Sequence, residues 1–509
     1  MQLKKIALAV AAMATGFAAH AAGTVNIGGV PHNVVYLSGA SAPDAFLADI
    51  AEGMLTGVTY YTASNYKAYA GSASGVPGVT NGTKVLFIKR SEGGSAFGVG
   101  PVARAQRVKT IDVNNCTSGA GTKASPYSCN IMGTLDPGSQ GYGEAGDAAN
   151  AGLVPDFGIS DVEPAMFQEP YNTESDTAAL SSSEVSRLAV LPVNQIMMGL
   201  VATNNVPAST YLSRSTYGAM LNGQITTWDQ VDPTLEGDVV VCRRVEGSGT
   251  QTSYNWFFGN FPCATQEGGA VAPARMSDSY GWKEGGSGTS ADPYIINPAS
   301  GYTVIENSSS GNVRSCMNAA HDGSDYTFTS WDSEDGGPRV FKVTFSESGP
   351  MKAVGVLSLD SYTSAASNDF SFRHLDGAGT YTYDSVSKTL SSSAGATGIA
   401  PSKANLIDGK YDFVVELSSQ YRNVAVTNEF GDAVPAISGV QKAFADEFVK
   451  RAGSPRYTGN LGNTVAPVST PDAYASLPQY YAGTASSNLY VSKFTRNANT
   501  CAPLQFRGN

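Results

Sequence analysis

The sequence predicts an α/β protein with mainly parallel sheets and more than one hydrophobic core. Three observations carry this reading. Short apolar runs are followed, three times, by a turn of small residues and then by helix-periodic sequence. The 509 residues exceed the ~100–200 typical of one domain. An apolar fraction of 42% is enough to fill several cores. Alternating strands and helices favour crossover connections and parallel sheets, in which ligands gather at the carboxyl ends of strands, where helices begin.

In the first unit, residues from Val34 to Ser41 read as a buried strand ending in Gly39-Ala40-Ser41. From Pro43 to Leu55, the residues Phe46, Leu47, Ile50, Met54 and Leu55 share one helical face. Pro43 suits the first helical turn, where its missing N–H costs nothing. The second unit is Val85 to Ile88, then Ser91-Glu92-Gly93-Gly94 and a segment opening with Ser95-Ala96-Phe97. The third is Val239 to Val241, then Arg243 to Thr250 and the aromatic run from Tyr254 to Phe258. Residues 62–82, 102–152, 264–302 and 388–402 are rich in Gly, Ser, Ala and Asn and show neither period. They are expected to be long loops or insertions.

Residues 1–21 carry Lys4 and Lys5, an apolar run from Ile6 to Ala19 and the small-residue pattern Ala19-His20-Ala21. This is the layout of a secretory signal cleaved near Ala21. A spanning helix needs about 20 apolar residues, and no later stretch reaches that length. The mature chain is therefore expected to be soluble, without a transmembrane segment, in the periplasm or secreted to the cell surface. Six cysteines, Cys116, Cys129, Cys242, Cys263, Cys316 and Cys501, lie in the exported part, where an even count suggests disulfides. The local pairs Cys116–Cys129 and Cys242–Cys263 are favoured, leaving Cys316 with Cys501, although six cysteines allow fifteen pairings. Zinc is the alternative, but there is no Cys-x-x-Cys pair and the four histidines are scattered.

A formal net charge of −11 argues against nucleic acid or an anionic membrane as partner. It does not exclude a small buried anion, which responds to nearby N–H groups and charges while distant surface charges are screened over ~8–10 Å. The run Arg243-Arg244-Val245-Glu246-Gly247-Ser248-Gly249-Thr250 is suited to such an anion. Its glycines allow close backbone approach, and the following helix adds its positive end. Ser248 and Thr250 add hydroxyls, Arg244 a two-pronged guanidinium, and Glu246 is placed to hold that guanidinium. The tripeptide Ser287-Gly288-Thr289 lacks a neighbouring arginine and reads as a surface loop. The stretch from Pro155 to Asp161, taken alone, makes Asp161 a turn or cap residue.

Taken together, these segments resemble the phosphate-specific periplasmic solute-binding proteins that serve ABC importers. The family's opening motif is similar to Gly39-Ala40-Ser41-Ala42-Pro43, its Ser-Ser-Gly-Gly turn to Ser91-Glu92-Gly93-Gly94, and its Asp-Phe-Gly-x-Ser-Asp motif to Asp156 through Asp161. Its Arg-Arg-x-Asp-Gly-Ser-Gly-Thr motif is similar to Arg243 through Thr250. Leu221 through Asp229 and Ala353-Val354-Gly355-Val356 resemble two further segments, all in the family's order. The chain departs from the pattern at Ala42, where the family has an aromatic, and at Glu246, where it has aspartate. The first change implies a pocket that is wider or open to water, and the departures together leave an organophosphate as the alternative ligand.

The resemblance implies a two-lobed type II periplasmic-binding-protein fold with two hinge crossovers, near Leu188 to Val193 and Tyr411 to Val415. Lobe one would span 24–196, with the insertions at 62–82 and 102–152, and resume over 406–509; lobe two would span 197–405. It also implies that Ser41, Ala42, Ser91 and Asp161 meet the anion from one lobe, and Arg244, Ser248, Gly249 and Thr250 from the other. Inorganic phosphate or a similar oxyanion is the expected ligand, with an inner-membrane ABC permease as partner and no cofactor. An ionised Asp161 would accept the proton of hydrogen phosphate and repel sulfate.

Two other functions are weighed. A secreted phosphate-ester hydrolase would need an activated nucleophile or a metal cluster, and none of the usual motifs is present. A surface or matrix protein that keeps the fold without transport would suit the Gly/Ser-rich insertions. The tail residues Tyr480, Tyr481 and Tyr490 would then offer a surface for self-association.

Overall fold

The computed structural model describes residues 23–507 apart from 134, 138, 140–141, 145–146, 148–150, 174–178, 266, 333, 366, 388, 459–472 and 481–489. Residues 1–21 and Tyr481 therefore lie outside the described residues. Among the described residues no helix is long and apolar enough to cross a membrane.

The architecture is mixed α/β around one large sheet. Two parallel triplets run through it, and one continuous apolar core contains residues of both. In the first, Val30–Gly39 lies between Lys84–Arg90 and Phe157–Ser160, with Val35 opposite Phe87 and Ser38 opposite Gly158. In the second, Val239–Arg244 lies between Thr303–Asn307 and Lys352–Ser358, with Cys242 opposite both Ile305 and Gly355. Strands buried on both faces read as continuous apolar runs, which is why Val34 to Leu37 and Val239 to Val241 were legible. The 16-residue strand Leu188–Thr203 joins the two triplets. Its first part pairs antiparallel with Val414–Arg422, and its last part pairs with Lys352–Ser358 and Phe370–Arg373.

Several expectations need correction. The first helix is shorter than expected: a 3-10 turn at Ala42–Ala45 precedes Leu47–Met54, and Leu55 already begins a strand. Much of residues 62–82 is no loop. Leu55–Ala63 and Tyr66–Ala73 form an antiparallel hairpin that extends the first triplet along Lys84–Arg90. Tyr60 and Tyr69 meet edge to face across it, and the small residues between the tyrosines hid the strand period. Within 102–152, Thr110–Ser118 and Tyr127–Met132 form a second hairpin, closed by Cys116–Cys129 as expected.

The other two disulfides differ from the expected pairs. Cys242 is joined to Cys316, and Cys263 to Cys501. Cys242 sits mid-strand beneath the helix Ser310–Asp322, which carries Cys316. Sequence proximity had favoured Cys263, but packing of that helix on the sheet brings Cys316 closer. Tyr480 also has a structural task, donating its hydroxyl proton to the carbonyl of Pro192.

Candidate functional site

The cavity begins with a close approach of backbones. Gly39 has φ +124°, and a Cβ there would lie 1.9 Å from the carbonyl oxygen of Ile159 and 2.7 Å from Cα of Gly98. Only glycine fits that conformation and that space. A Cβ at Gly158 would lie 1.7 Å from the Gly98 carbonyl oxygen. These contacts, with the Ala40 N–H donating to the Ile159 carbonyl at 2.8 Å, bring three turns together at the carboxyl ends of the first parallel triplet.

The first turn carries Ser41 and Ala42 at the start of the 3-10 helix. Its Ala42 carbonyl accepts a 2.9 Å hydrogen bond from the hydroxyl of Tyr474, which also donates to Asp360 at 3.2 Å. In the second turn, Ser91 donates to Asp44 at 2.7 Å and accepts from the Lys89 ammonium at 2.8 Å. Lys89 is fully buried, donates also to the carbonyls of Gly39 and Arg90, and lies 3.6 Å from Asp44. Burial pulls its pKa down to about 8, against the opposing attraction of Asp44. The third turn carries Asp161, whose N–H donates to the Ser95 hydroxyl at 3.1 Å. Burial pushes the Asp161 carboxyl up to about 6; Arg244 opposes the shift and Asp360 adds to it.

The facing side is contiguous in sequence. After Val239–Arg244 the chain turns at Gly247 into the helix Gly249–Gly259, capped by the Ser248 hydroxyl, which accepts from the Gln251 N–H at 3.4 Å. The first N–H groups of a helix have no intrahelical acceptor, and its dipole is positive at that end. Arg244 is anchored by the carbonyls of Asn307 and Ser308 at 3.2 and 2.9 Å and by the Ser310 hydroxyl at 3.2 Å. Glu246 differs from its expected role: it lies 3.3 Å from Arg275. The Arg244 anchors come instead from the segment Asn307 to Ser310. Burial raises the Glu246 carboxyl to about 7, with Arg243 and Arg275 opposing.

The two sides already touch. The Ala96 N–H donates to the Gly247 carbonyl at 3.3 Å. A Cβ on Gly249 would lie 2.3 Å from the Ser95 hydroxyl and 2.7 Å from an Asp161 carboxylate oxygen. Between them lies a cavity of about 340 Å³ whose wall includes Ser41, Ala42, Ser91, Asp161, Arg244, Ser248, Gly249 and Thr250. All eight residues singled out from the sequence thus face one space. Arg314, Asp360 and Ser308 to Ser310, from segments with no motif, also line it, as does Asp44 just after the Gly39 to Pro43 motif; none of these was anticipated.

The arrangement can hold an anion: a guanidinium and a helix start on one side, hydroxyls on both, and a carboxylate able to accept a proton. His321, Asp322 and Asp369 have ligand atoms within 4.8 Å of one another, but they are partly or fully exposed and line no part of this cavity.

No family model and no curated protein matches the chain. Among solved structures it is similar to a Clostridium perfringens protein with bound phosphate, provisionally assigned as a phosphate ABC transporter substrate-binding protein. The identity is 13%, over 82% of this chain and 93% of that one, with a TM-score of 0.37. It is also similar to a human phosphate binding apolipoprotein, at 12% identity over 63% and 76% of the two chains and a TM-score of 0.33. An ABC-type phosphate transport receptor from Vibrio cholerae matches at 14% identity over 53% and 68%, with a TM-score of 0.26. By their descriptions all three are phosphate-binding or phosphate-transport proteins, and the chain is a distant likeness of each.

Proposed function

We propose that the chain is an exported solute-binding protein that holds phosphate or a phosphate-like oxyanion between two lobes, for uptake through an ABC-type permease, and is not an enzyme. The observation that carries this reading is a single cavity into which Arg244, Ser248, Gly249 and Thr250 face from one side and Ser41, Ser91 and Asp161 from the other. Hydrogen bonds to charged groups contribute about 1.5–3 kcal/mol each. Several of them offset the ~4–15 kcal/mol cost of association and leave room for the ~8 kcal/mol of a micromolar complex.

Arg244 and the helix start supply positive potential, and the hydroxyls of Ser41, Ser248 and Thr250 donate to anion oxygens. Asp161 supplies choice. Above its pKa it accepts the proton of hydrogen phosphate, whereas sulfate has no proton to offer and meets repulsion. The strand Leu188–Thr203, shared by both triplets, supports a hinge there. Ligand would then favour the closed arrangement, in which all donors act together, and a permease would recognise that arrangement.

The test is calorimetric titration of the dialysed mature protein near pH 7.5 with phosphate, arsenate and sulfate. Phosphate and arsenate should bind at micromolar level or tighter, and sulfate at least tenfold more weakly. Absence of phosphate binding, with the protein folded, would remove the reading.

A further inference from the structure

The direction of one proton at the cavity wall is fixed by the fold. A serine hydroxyl has a single proton and two lone pairs. That of Ser91 donates to a carboxylate oxygen of Asp44 at 2.7 Å and accepts from the Lys89 ammonium at 2.8 Å. An ammonium only donates and a carboxylate only accepts, so this pair leaves the Ser91 proton no second direction. The ammonium is itself held in place. It is fully buried, donates to the carbonyls of Gly39 and Arg90 at 3.0 and 2.7 Å, and lies 3.6 Å from Asp44. Ser91 lines the cavity, and what its oxygen has left for a ligand is a lone pair. Facing a fully ionised anion, that lone pair would meet another acceptor.

The charges around the same space point the same way. Among the described residues, four carboxylates line the cavity, Asp44, Glu92, Asp161 and Asp360, against three cations, Lys67, Arg244 and Arg314. Asp360 repels the ionised form of Asp161. Asp360 accepts from the Ser358 hydroxyl and from Tyr474, whose single proton it shares with the Ala42 carbonyl. A doubly charged anion would therefore meet a surplus of acceptors and of negative charge. Each acidic proton that the anion brings gives one acceptor a donor and lowers the anion's charge by one.

Resting on the oxyanion reading above, we propose that the form bound is the singly charged dihydrogen oxyanion, donating one acidic proton to Asp161 and the second to the Ser91 oxygen. Arg244, the start of Gly249–Gly259 and the hydroxyls of Ser248 and Thr250 hold its unprotonated oxygens. Asp44 and Lys89 are positioning residues, which aim the Ser91 lone pair without touching the ligand. The choice shows in the pH dependence. Singly and doubly charged phosphate interconvert near neutral pH. A site for the first binds total phosphate more weakly as pH rises and takes up a proton there, whereas a site for the second behaves oppositely. The useful window lies between the Asp161 carboxyl at about 6, which accepts when ionised, and the Lys89 ammonium, which burial pulls down to about 8.

The experiment is calorimetric titration of the mature protein with inorganic phosphate at about pH 6.5 and about pH 8, in two buffers of different ionisation enthalpy. Wild type, Ser91→Ala and Asp44→Ala are compared. Wild-type affinity should fall about five- to tenfold over that interval, with uptake of about one proton per phosphate at the higher pH. Ser91→Ala removes the second acceptor, and Asp44→Ala frees the Ser91 proton to turn towards the anion. In each, the fall should shrink to about twofold or reverse. Asp44→Ala leaves the Lys89 ammonium without its carboxylate, so circular dichroism checks its folding, and Ser91→Ala decides alone if that variant is unfolded. A wild-type affinity that rises or stays level with pH, or an undiminished fall in Ser91→Ala, would overturn the inference and leave phosphate binding standing. Absence of phosphate binding at both pH values, with the protein folded, would remove the oxyanion reading itself.

Discussion

One side of the cavity comes from a single run of chain, Arg244 to Thr250, whereas the facing side gathers Ser41, Ser91 and Asp161 from three turns far apart in sequence. The first side is a local device, a strand end, a glycine turn and a capped helix. The second exists only because Gly39, Gly98 and Gly158 let three backbones meet. Their electrostatics differ as well. The contiguous side is cationic, while the assembled side sets carboxylates over a buried lysine. A short segment can thus supply a cation and a helix start by itself, whereas the carboxylates that face them are brought there only by the fold.

The largest expected effect concerns the tie between the two sides. Cys263 follows the helix Gly249–Gly259, and Cys501 adjoins Thr500, whose N–H and hydroxyl bond Glu163 just beyond Asp161. The bridge spans 238 residues of sequence, and closing so long a loop contributes about 3–5 kcal/mol. Replacing both cysteines by serine should lower the unfolding free energy by that amount in denaturant titrations. A loss below half a kcal/mol would mean that other contacts alone hold the sides together.

Next comes the cationic side. Arg244→Ala should weaken phosphate binding by about 2–3 kcal/mol, roughly 30- to 150-fold, because a charge-assisted donor is removed from a desolvated site. Arg244→Lys should recover only part of this, since the ammonium lacks the planar fork. Equal affinity in Arg244→Ala, measured by calorimetry, would show that the helix start suffices.

Asp161→Asn probes the assembled side in two ways. Phosphate should lose its preference over sulfate by tenfold or more, and an unchanged preference would end the proposed role of Asp161. The folded carboxyl titrates at about 6, above its ordinary 3.8. Burying it ionised therefore destabilises the ligand-free protein above pH 6, and this penalty fades as pH falls toward 4. The variant should be more stable than wild type by about 1–3 kcal/mol at pH 7.5 and equal to it near pH 4. A gap that grows on acidification would reverse the assignment.

The smallest effect is expected at Ser248→Ala, which removes the cap of Gly249–Gly259 and should cost about 1 kcal/mol of stability. A thermal scan checks this, and an undiminished midpoint would mean that the turn itself holds the helix start.

Much of the contiguous side was legible in the sequence because its chemistry and its geometry share eight neighbouring residues. Arg244, Ser248, Gly249 and Thr250 stand where their motif placed them, around a strand-to-helix turn. Ser41, Ser91 and Asp161 were legible only through resemblance, since each alone reads as an ordinary turn residue. Lys89, Asp44, Asp360 and Tyr474 were not legible at all. A buried lysine is recognisable only once the strand that covers it is known, and Tyr474 reaches Ala42 across more than four hundred residues. Glu246 shows the opposite error: near in sequence to Arg244, it lies 3.3 Å from Arg275, a residue outside the motif.

By itself the sequence determined the α/β class, strands over Val34 to Ser41, Val85 to Ile88 and Val239 to Val241, and the anion-suited turn at Arg243 to Thr250, because these follow from periodicity and local backbone chemistry. Tertiary structure alone decided the hairpin Leu55–Ala63 with Tyr66–Ala73 and the pairing of Cys242 with Cys316 and Cys263 with Cys501. Each of these depends on which surfaces meet when helices and hairpins pack on the sheet, and that is a property of the whole folded chain rather than of any window along it.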